Sequence, residues 1–486
     1  MPVALRRIAA VNVGKEARRL ARGLRRGGGT SLPGLLAERI DPGIVGALAA
    51  ELPLGCVLVT GTNGKTTTTR ILAGAARRSG WTVLSNREGS NLSRGVATVL
   101  LSHADRLGRL KVAPDGIGVF EVDEGALPGA ITALCPRLVV ITNLFRDQLD
   151  RYFEVDFVAR LWTRGLGRLP AGATLVLNAD DPEVAFLGEQ KARGVIYYGL
   201  EDTRHARDSL EHAADSRRCP RCGVELVYEH AFYAHLGHYA CGQCGWQRPS
   251  VGVAGRDVEL SMDGGDLEVT TPGDKQRLHV PLAGLYNVYN TLAAVAGATA
   301  LGLAPRAVEQ AVACASGAFG RLERFTVHDK QACLLLVKNP SGFNQALRLL
   351  FGVGDGEPKG LLLALNDNGP DGRDVSWIWD VDLERCAEEP AFIVASGDRA
   401  WDLALRLKYA GVSTSALGKN GADDGRLMVE EDVVRAFWEA VALTPPRGTL
   451  YVLPTYTAMW TLREHLARAG YVERFWRDVQ QPAGNA

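Results

Sequence analysis

The run Val57-Leu-Val-Thr-Gly-Thr-Asn-Gly-Lys-Thr-Thr-Thr-Thr-Arg70 constrains this chain more than any other segment. An apolar run, Cys56–Val59, enters a Gly61/Gly64 turn, and a helix-compatible stretch begins at Lys65. A strand feeding a glycine turn and a helix N-terminus aims backbone N–H groups and the positive end of the helix dipole at one point, which makes an anion site. Gly61, Thr62, Asn63, Gly64, Lys65, Thr66 and Thr67 are therefore the expected ATP contacts. Lys65 would reach the β/γ-phosphates, and the hydroxyl of Thr66 or Thr67 would sit on Mg²⁺. The general phosphate-loop pattern carries a further glycine where this chain has Val59, so the loop is a variant form.

At 486 residues the chain is too long for one core, and more than one domain is expected. Its 55 basic and 55 acidic residues cancel, so no global field for nucleic acid exists and no nucleic-acid partner is expected. No apolar run reaches the ~18–20 residues needed to span a bilayer. The first residues lack the apolar core of a secretory signal. Of nine cysteines, four cluster and five are scattered, the pattern of a metal site plus reduced thiols in a cytoplasmic protein. Residues 4–26 carry eight Lys or Arg against the single Glu16. This segment reads as a solvated helix docked on the next domain, a helix resting on an anionic membrane surface, or a transit peptide.

From residue 53 to about 200, short apolar runs alternate with helical patterns. Val57–Thr60, Thr82–Ser85, Gly116–Glu121, Leu138–Thr142 and Thr174–Asn178 read as buried strands, and Thr66–Ser79 and Val155–Arg164 as helices. The alternation predicts an α/β fold with a mostly parallel sheet whose ligands sit at the carboxyl ends of the strands. Residues 201–250 interrupt it as an insert, and Val251–Gly273 reads as glycine-rich and turn-prone. Ala283-Gly-Leu-Tyr-Asn-Val-Tyr-Asn-Thr then opens an alanine-rich helix to about Gly302. A second α/β block follows, with strands expected at Leu334–Val337, Gly360–Leu365, Phe392–Ala395 and Thr449–Leu453. The expected domains are a basic helix and linker over 1–50, a central domain over 51–325 and a C-terminal domain over 326–486.

Cys219-Pro-Arg-Cys222 and Cys241-Gly-Gln-Cys244 are two Cys-x-x-Cys knuckles, with Gly223, Gly242 and Gly245 suited to the tight turns. Two such knuckles complete a tetrahedron of thiolates, and four thiolates leave a zinc ion no open position, so the zinc ribbon is structural. His230, His235 and His238 between the knuckles are surface or packing residues on this reading.

Polar clusters fall at the strand ends. Glu121-Val-Asp123-Glu124 offers a carboxylate for Mg²⁺. Thr142-Asn143, Asp147 and Asp150 end the next strand, and Asn178-Ala-Asp-Asp181 the one after. Asn287 and Asn290, a helical turn apart, are placed to read an adenine edge or ribose. Each cluster alone is weak, since an acidic strand end often caps a helix or forms an ion pair; together, and in this order, they mark a nucleotide site.

This order, followed by Gly320-Arg321-Leu-Glu323-Arg324 and by Lys338-Asn339-Pro340, resembles the Mur ligase superfamily and its central ATPase domain. Three features narrow the resemblance to the MurT family, the synthetase subunits of lipid II isoglutaminyl synthase. Only some fifty residues precede the loop, where a UDP-sugar domain would stand. A four-cysteine ribbon interrupts the central domain. The C-terminal half carries Asn366-Asp-Asn-Gly-Pro-Asp371-Gly-Arg-Asp374-Val-Ser-Trp377-Ile-Trp379-Asp380 and Leu453-Pro-Thr-Tyr456-Thr-Ala-Met. One departure from the superfamily is Gln148, where many members carry a metal-associated histidine.

The resemblance implies a Mur ligase-type fold and an ATP-dependent carbon–nitrogen ligase of peptidoglycan synthesis, hence of cell wall biogenesis and cell shape. It implies ATP, Mg²⁺ held by Thr66 and Glu121, and an acyl phosphate formed on the D-glutamate α-carboxyl of lipid II. Ammonia would then give D-isoglutamine. Lys65, Glu121 and Lys338 are the expected catalytic residues of the synthetase, and Asn287, Asn290 and Arg321 join the loop in holding nucleotide. None of the five scattered cysteines lies in a Gly-x-Cys-x-Gly elbow, so a GatD-like glutaminase is the expected partner in a heterodimer. The family implies that Asp371 or Asp374 completes the partner's Cys/His pair. A lipid-linked substrate gives the basic N-terminal helix a place at the inner face of the membrane. An amino-acid-adding ligase of the Mur or folylpolyglutamate type, and an ATP-dependent zinc-ribbon scaffold without ligase chemistry, are the competing readings.

Overall fold

The computed structural model describes residues 3–23, 32–86, 93–147, 155–190, 194–315, 322–352, 359–413 and 426–473. The chain forms two compact units. The first comprises Met1–Phe145, Glu154–Leu210 and Ala214–Ser316, the second Arg146–Phe153, Glu211–Ala213 and Gly317–Ala486.

The strands of the first unit are β1 (Cys56–Thr60), β2 (Thr82–Leu84), β3 (Gly116–Glu121), β4 (Leu138–Ile141), β5 (Thr174–Asn178), β6 (Val195–Leu200), β7 (Val227–Tyr233), β8 (Leu236–Ala240), β9 (Val253–Leu260), β10 (Gly265–Thr271) and β11 (Asp274–Val280). Nine of them build one sheet in the order β11-β10-β9-β6-β5-β4-β1-β3-β2, while β7 and β8 pair separately. From β2 to β9 the ladder is parallel. Every residue of β1, β3 and β4 is buried, as strands covered on both faces require.

Register positions the site. Val59 lies opposite Glu121 on one side and Val140 on the other, and Ile141 lies opposite Leu177. The residues that leave β1, β3, β4 and β5 therefore emerge at one edge. The phosphate-loop helix, Lys65–Arg78, packs against helices Leu285–Leu301 and Pro305–Ala313. Alanines and Gly297 let the first of these approach closely; a Cβ at Gly297 would stand 3.1 Å from Leu72 and 3.4 Å from Val140. Gly302 ends that helix with φ of 70°.

The stretch after the insert departs from the sequence expectation. Val251–Gly273 is not a turn-rich connection but supplies β9 and β10, which join β11 in an antiparallel meander. Val258, Leu267, Val269, Leu278 and Val280 face the core while charged residues alternate outward. Gly264 and Gly273 serve the turns, at φ 156° and 90°, while Gly255 lies within β9. At the N-terminus, helix Val3–Gly23 docks on Leu32–Ile40 and Ser93–His103. It buries Ala10, Val11 and Gly14, and Arg7 pairs with Glu51 at 2.5 Å. Leu5, Val13, Leu20, Arg6 and Arg19 face outward.

The second unit holds β12 (Glu323–Val327), β13 (Lys330–Leu334), β14 (Lys359–Ala364), β15 (Pro390–Ser396), β16 (Leu427–Val429) and β17 (Thr449–Pro454), in the order β12-β13-β17-β14-β15-β16. All neighbours are parallel except the β12–β13 hairpin. That hairpin was not expected: it turns at His328, φ 55°, and draws the strand expected at Leu334–Val337 back to Lys330–Leu334. Leu335 and Val337 still donate to Val452 and Pro454 carbonyls.

Candidate functional site

The loop after β1 is held from β4. Thr62 N donates to Asn143 O at 3.0 Å and Asn63 N to Asn143 Oδ1 at 2.8 Å. The Thr142 hydroxyl and Asn143 amide both donate to Asn63 O, at 2.7 and 3.1 Å. Thr62 Oγ1 donates to Phe145 O and accepts from Phe145 N. Asn178, from β5, fixes the Thr142 carbonyl at 3.1 Å. Gly61 (φ 132°) and Gly64 (φ 86°) are required twice over: by backbone sign, and because a Cβ at Gly61 would overlap Thr142 Oγ1 and one at Gly64 would overlap Asn290 Oδ1. The Lys65–Arg78 helix starts directly after Gly64. Asn63 and Thr66 are partly open to solvent, while Gly61, Thr62, Gly64, Lys65 and Thr67 are buried.

Asn290 and Asn287 are buried beside this loop. Asn290 donates to Asn287 Oδ1 at 3.1 Å and its carbonyl accepts from Thr68 Oγ1 at 3.3 Å, so Asn290 supports the turn from the neighbouring helix. Glu121 is buried at the end of β3. Asn86, which the sequence reading did not single out, brackets it by accepting from Glu121 N at 2.9 Å and donating to Glu121 O at 2.8 Å. Arg321 and Gln148 lie outside the described residues.

Lys65 is the cation of the site. Its ammonium donates to Gly61 O at 2.6 Å, Thr62 O at 3.2 Å and Glu124 Oε2 at 2.9 Å. Burial opposes its charge, but Glu124, Asp123 and Glu121 outweigh burial and raise its pKa. The partner role of Glu124 was not legible in Glu-Val-Asp-Glu, where any of three acids has the reach.

The insert fits a tetrahedral metal. The four sulfurs of Cys219, Cys222, Cys241 and Cys244 lie within 4.8 Å of one another, with Cys219–Cys244 at 3.6 Å and Cys222–Cys241 at 3.4 Å. Zinc–sulfur bonds of about 2.3 Å imply sulfur–sulfur edges of about 3.8 Å, close to these spacings. In each knuckle the first cysteine's carbonyl accepts from the turn glycine, Gly223 at 2.8 Å and Gly245 at 3.1 Å. N–H groups of Cys244 and Gln243 point at the Cys241 sulfur and lower its pKa to about 6, against the opposing effect of burial. Burial pushes the Cys219 thiol up to about 12.

Two adjacent aspartates tie the insert to the loop. Asp180, fully buried, accepts Arg248 Nε at 2.6 Å, Tyr289 OH at 2.6 Å and Leu200 N at 2.8 Å. Arg248 follows the second knuckle; Tyr289 lies between Asn287 and Asn290. Asp181 caps helix Pro182–Phe186 through Glu183 N and Val184 N and accepts Leu144 N at 2.8 Å. His235 at the β7–β8 turn is completely buried. Its Nε2 stands 3.4 Å from Asp181 Oδ2 and its ring 4.8 Å from Phe145. His235 is thus a packing residue with an ionic neighbour. The sequence reading of His230, His235 and His238 as surface or packing residues did not single out His235 or its aspartate neighbour.

In the second unit, Lys338 Nζ pairs with Asp147 at 2.5 Å. The two aspartates of the Asp-Gly-Arg-Asp segment separate. Asp371 is buried and accepts Thr457 N at 2.8 Å and Thr457 Oγ1 at 2.5 Å; burial raises its pKa. Asp374 is exposed, and hydrogen bonds from Ser376 lower its pKa. Trp377 is buried against Phe343, while Trp379 is 48% exposed with its ring 5.7 Å from that of Tyr409.

Comparison with known proteins agrees with this arrangement. Residues 59–226 match the Mur ligase middle domain and residues 336–459 the MurT ligase C-terminal family. The chain is 32% identical over 471 residues to the Staphylococcus aureus (strain COL) lipid II isoglutaminyl synthase (glutamine-hydrolyzing) subunit MurT, covering 96% of this chain and 99% of that one. It is 34% identical to the Streptococcus pneumoniae (strain ATCC BAA-255 / R6) MurT subunit, covering 93% and 95%. Among solved structures, a pseudomurein peptide ligase type C from Methanothermus fervidus superposes with a TM-score of 0.62 at 23% identity, covering 85% of this chain and 79% of that one. MurF from Acinetobacter baumannii superposes at 0.61 and 18% identity, covering 88% and 80%; both report the fold alone. With phosphate loop, cysteine insert and C-terminal motif all in place along an end-to-end match, the chain belongs to the MurT family of Mur ligase-type enzymes.

Proposed function

We propose that this chain is the synthetase subunit that amidates the D-glutamate α-carboxyl of the lipid II stem peptide to D-isoglutamine. The observation that carries this reading is the alignment with MurT subunits over nearly their whole length, insert and C-terminal motif included.

The substrate carboxylate attacks the γ-phosphorus of ATP, the bond to the β-phosphate oxygen breaks, and ADP leaves. Ammonia attacks the acyl carbon, phosphate departs with the bonding electrons, and the nitrogen loses a proton. Backbone N–H groups after Gly61 and the Lys65 ammonium offset charge on the phosphates. Thr66, partly open at the helix start, and Glu121, at the adjoining strand end, offer oxygen donors of the kind Mg²⁺ takes. When bound there, Mg²⁺ supplies positive charge to the phosphoryl oxygens. Asn287 and Asn290 shape the loop, and Lys338 offsets substrate charge. The four thiolates hold a structural zinc with no coordination position left for chemistry.

Ammonia at neutral pH is mostly ammonium, which is no nucleophile, so a GatD-like glutaminase subunit supplies it in a heterodimer. Of the two aspartates, Asp374 is the one we assign to the partner's Cys/His pair, because it is exposed and held ionised while Thr457 occupies both oxygens of Asp371. Exposed Trp379, Trp401, Leu405 and Tyr409 offer an apolar surface for that subunit. Among the described residues no helix is long and apolar enough to cross a membrane. The outward face of helix Val3–Gly23, with its arginines and leucines, would rest on anionic lipid where lipid II is presented.

The test is incubation of the purified chain with lipid II, ATP and ammonium chloride, with the product weighed. The mass decrease of replacing OH by NH₂ is expected. No change with ammonium, but the gain of a residue mass with free amino acids, would assign an amino-acid-adding ligase instead.

A further inference from the structure

The ammonium of Lys65 has three N–H donors, and all three are taken: by Gly61 O, Thr62 O and Glu124 Oε2. Two of these acceptors belong to the phosphate loop itself. The third comes from a different segment, the 3₁₀ turn Glu124–Ala126 that follows β3. That turn is anchored independently, because Trp162 Nε1 donates to Glu124 O at 2.9 Å and the Trp162 ring is fully buried. The pair is dry: the Lys65 and Glu124 side chains are 9% and 4% exposed.

A phosphate arriving at the loop needs the same donors. For Lys65 to bond a β- or γ-oxygen, at least one present contact must break. The loop carbonyls belong to the lysine's own segment, whereas the backbone of Glu124 is held from elsewhere by Trp162 and its side chain brings a carboxylate. After the exchange, Glu124 faces polyphosphate across a short, poorly screened distance.

We propose that Glu124 is a positioning residue that holds Lys65 and competes with the phosphates for it. This rests on the nucleotide reading of the loop made above. Affinity for nucleotide is then set by the exchange of Lys65 between carboxylate and phosphate. Glu124 compensates the buried lysine and, by competing for it, hastens release of ADP after turnover.

Glu124→Gln tests this. The amide keeps the length of the side chain and an oxygen to accept from Lys65, but removes the charge. The expected result is Mg-ADP binding about tenfold tighter by calorimetry, the size of one weakened charge contact. The KM for ATP should fall in the same direction with no rise in kcat, a split that damage to the fold would not produce. A folded Glu124→Gln chain that binds Mg-ADP no more tightly than wild type overturns the exchange. Should that variant not fold, Glu124→Asp, which shortens the reach, is read the same way. Wild-type chain that binds no Mg-ADP would instead remove the nucleotide reading itself, and the exchange with it.

Discussion

Asp180→Asn should strike the chain at one buried point that three segments share. Asp180 accepts Arg248 Nε, Tyr289 OH and Leu200 N with two oxygens and no exposure. An asparagine removes the charge and replaces one oxygen by NH₂, which faces Arg248 Nε if it stands at Oδ1 and Leu200 N and Tyr289 OH if at Oδ2, so at least one contact becomes donor against donor. Burial opposes the charge of Arg248, yet Asp180 and Glu201 hold its pKa up, which makes Asp180 half of a buried pair. Removing one member of such a pair costs about 3–5 kcal/mol. Glu201 remains at 2.8 Å to compensate Arg248 in part, which favours the lower end, about 3 kcal/mol. In a unit of roughly 300 residues that lowers Tm by about 5 °C. The assay is thermal and urea unfolding in metal-replete buffer, followed by tryptophan fluorescence; Trp246, packed at 5.2 Å on Tyr239, reports the insert directly. Tyr289→Phe, losing one hydrogen bond, should cost about 1 kcal/mol. An Asp180→Asn loss under about 1 kcal/mol would refute the hub argument, because no buried charge contact would then have been broken.

Glu183 gives a pH signature. Burial, then the Asp181 charge, raise its pKa from 4.5 to about 7. A raised carboxyl pKa means the folded state favours the protonated form, so this contribution is full below about pH 4.5 and is lost as pH rises to about 7. The loss is about 3 kcal/mol and should be absent in Glu183→Gln; parallel stability–pH curves for the two proteins would count against it. Asp374→Asn should abolish glutaminase activity of the assembled complex and spare ammonium-driven amidation, whereas Asp371→Asn should lower thermal stability; the reverse pattern would exchange their roles. Elemental analysis should find one zinc per chain, lost in Cys222→Ser, and a metal-free wild type would leave the thiols as a redox pair. Removing residues 1–26 should weaken sedimentation with anionic vesicles and leave neutral vesicles unaffected, and unchanged sedimentation would exclude a lipid role for the helix.

Much of the site was legible because local chemistry writes it locally. The glycines at 61 and 64, the threonines after Lys65 and the two cysteine knuckles act within a few residues of themselves, so spacing alone reveals them. The edge where Glu121, Thr142–Asn143 and Asn178 meet was legible because parallel strands of similar length end together. Adjacent acids were not resolved. Asp180 and Asp181 look equivalent in sequence, yet one anchors Arg248 and Tyr289 and the other caps a helix, a division made by backbone direction after β5. Glu124 was hidden for the same reason, since a 3₁₀ turn decides which of three acids reaches Lys65. The β9–β11 meander was hidden by its glycines, which mark hairpin ends as readily as loops.

The insert has a topological consequence. β6 and β9 are parallel neighbours in the main sheet, and the chain between them, from Leu200 to Val253, is the ribbon. An α/β fold usually makes such a crossover with a helix that holds itself together. Here the crossover is a cysteine ribbon tied back to the end of β5 by Arg248 on Asp180, so the link between the parallel core and its outer three strands runs through that one buried pair.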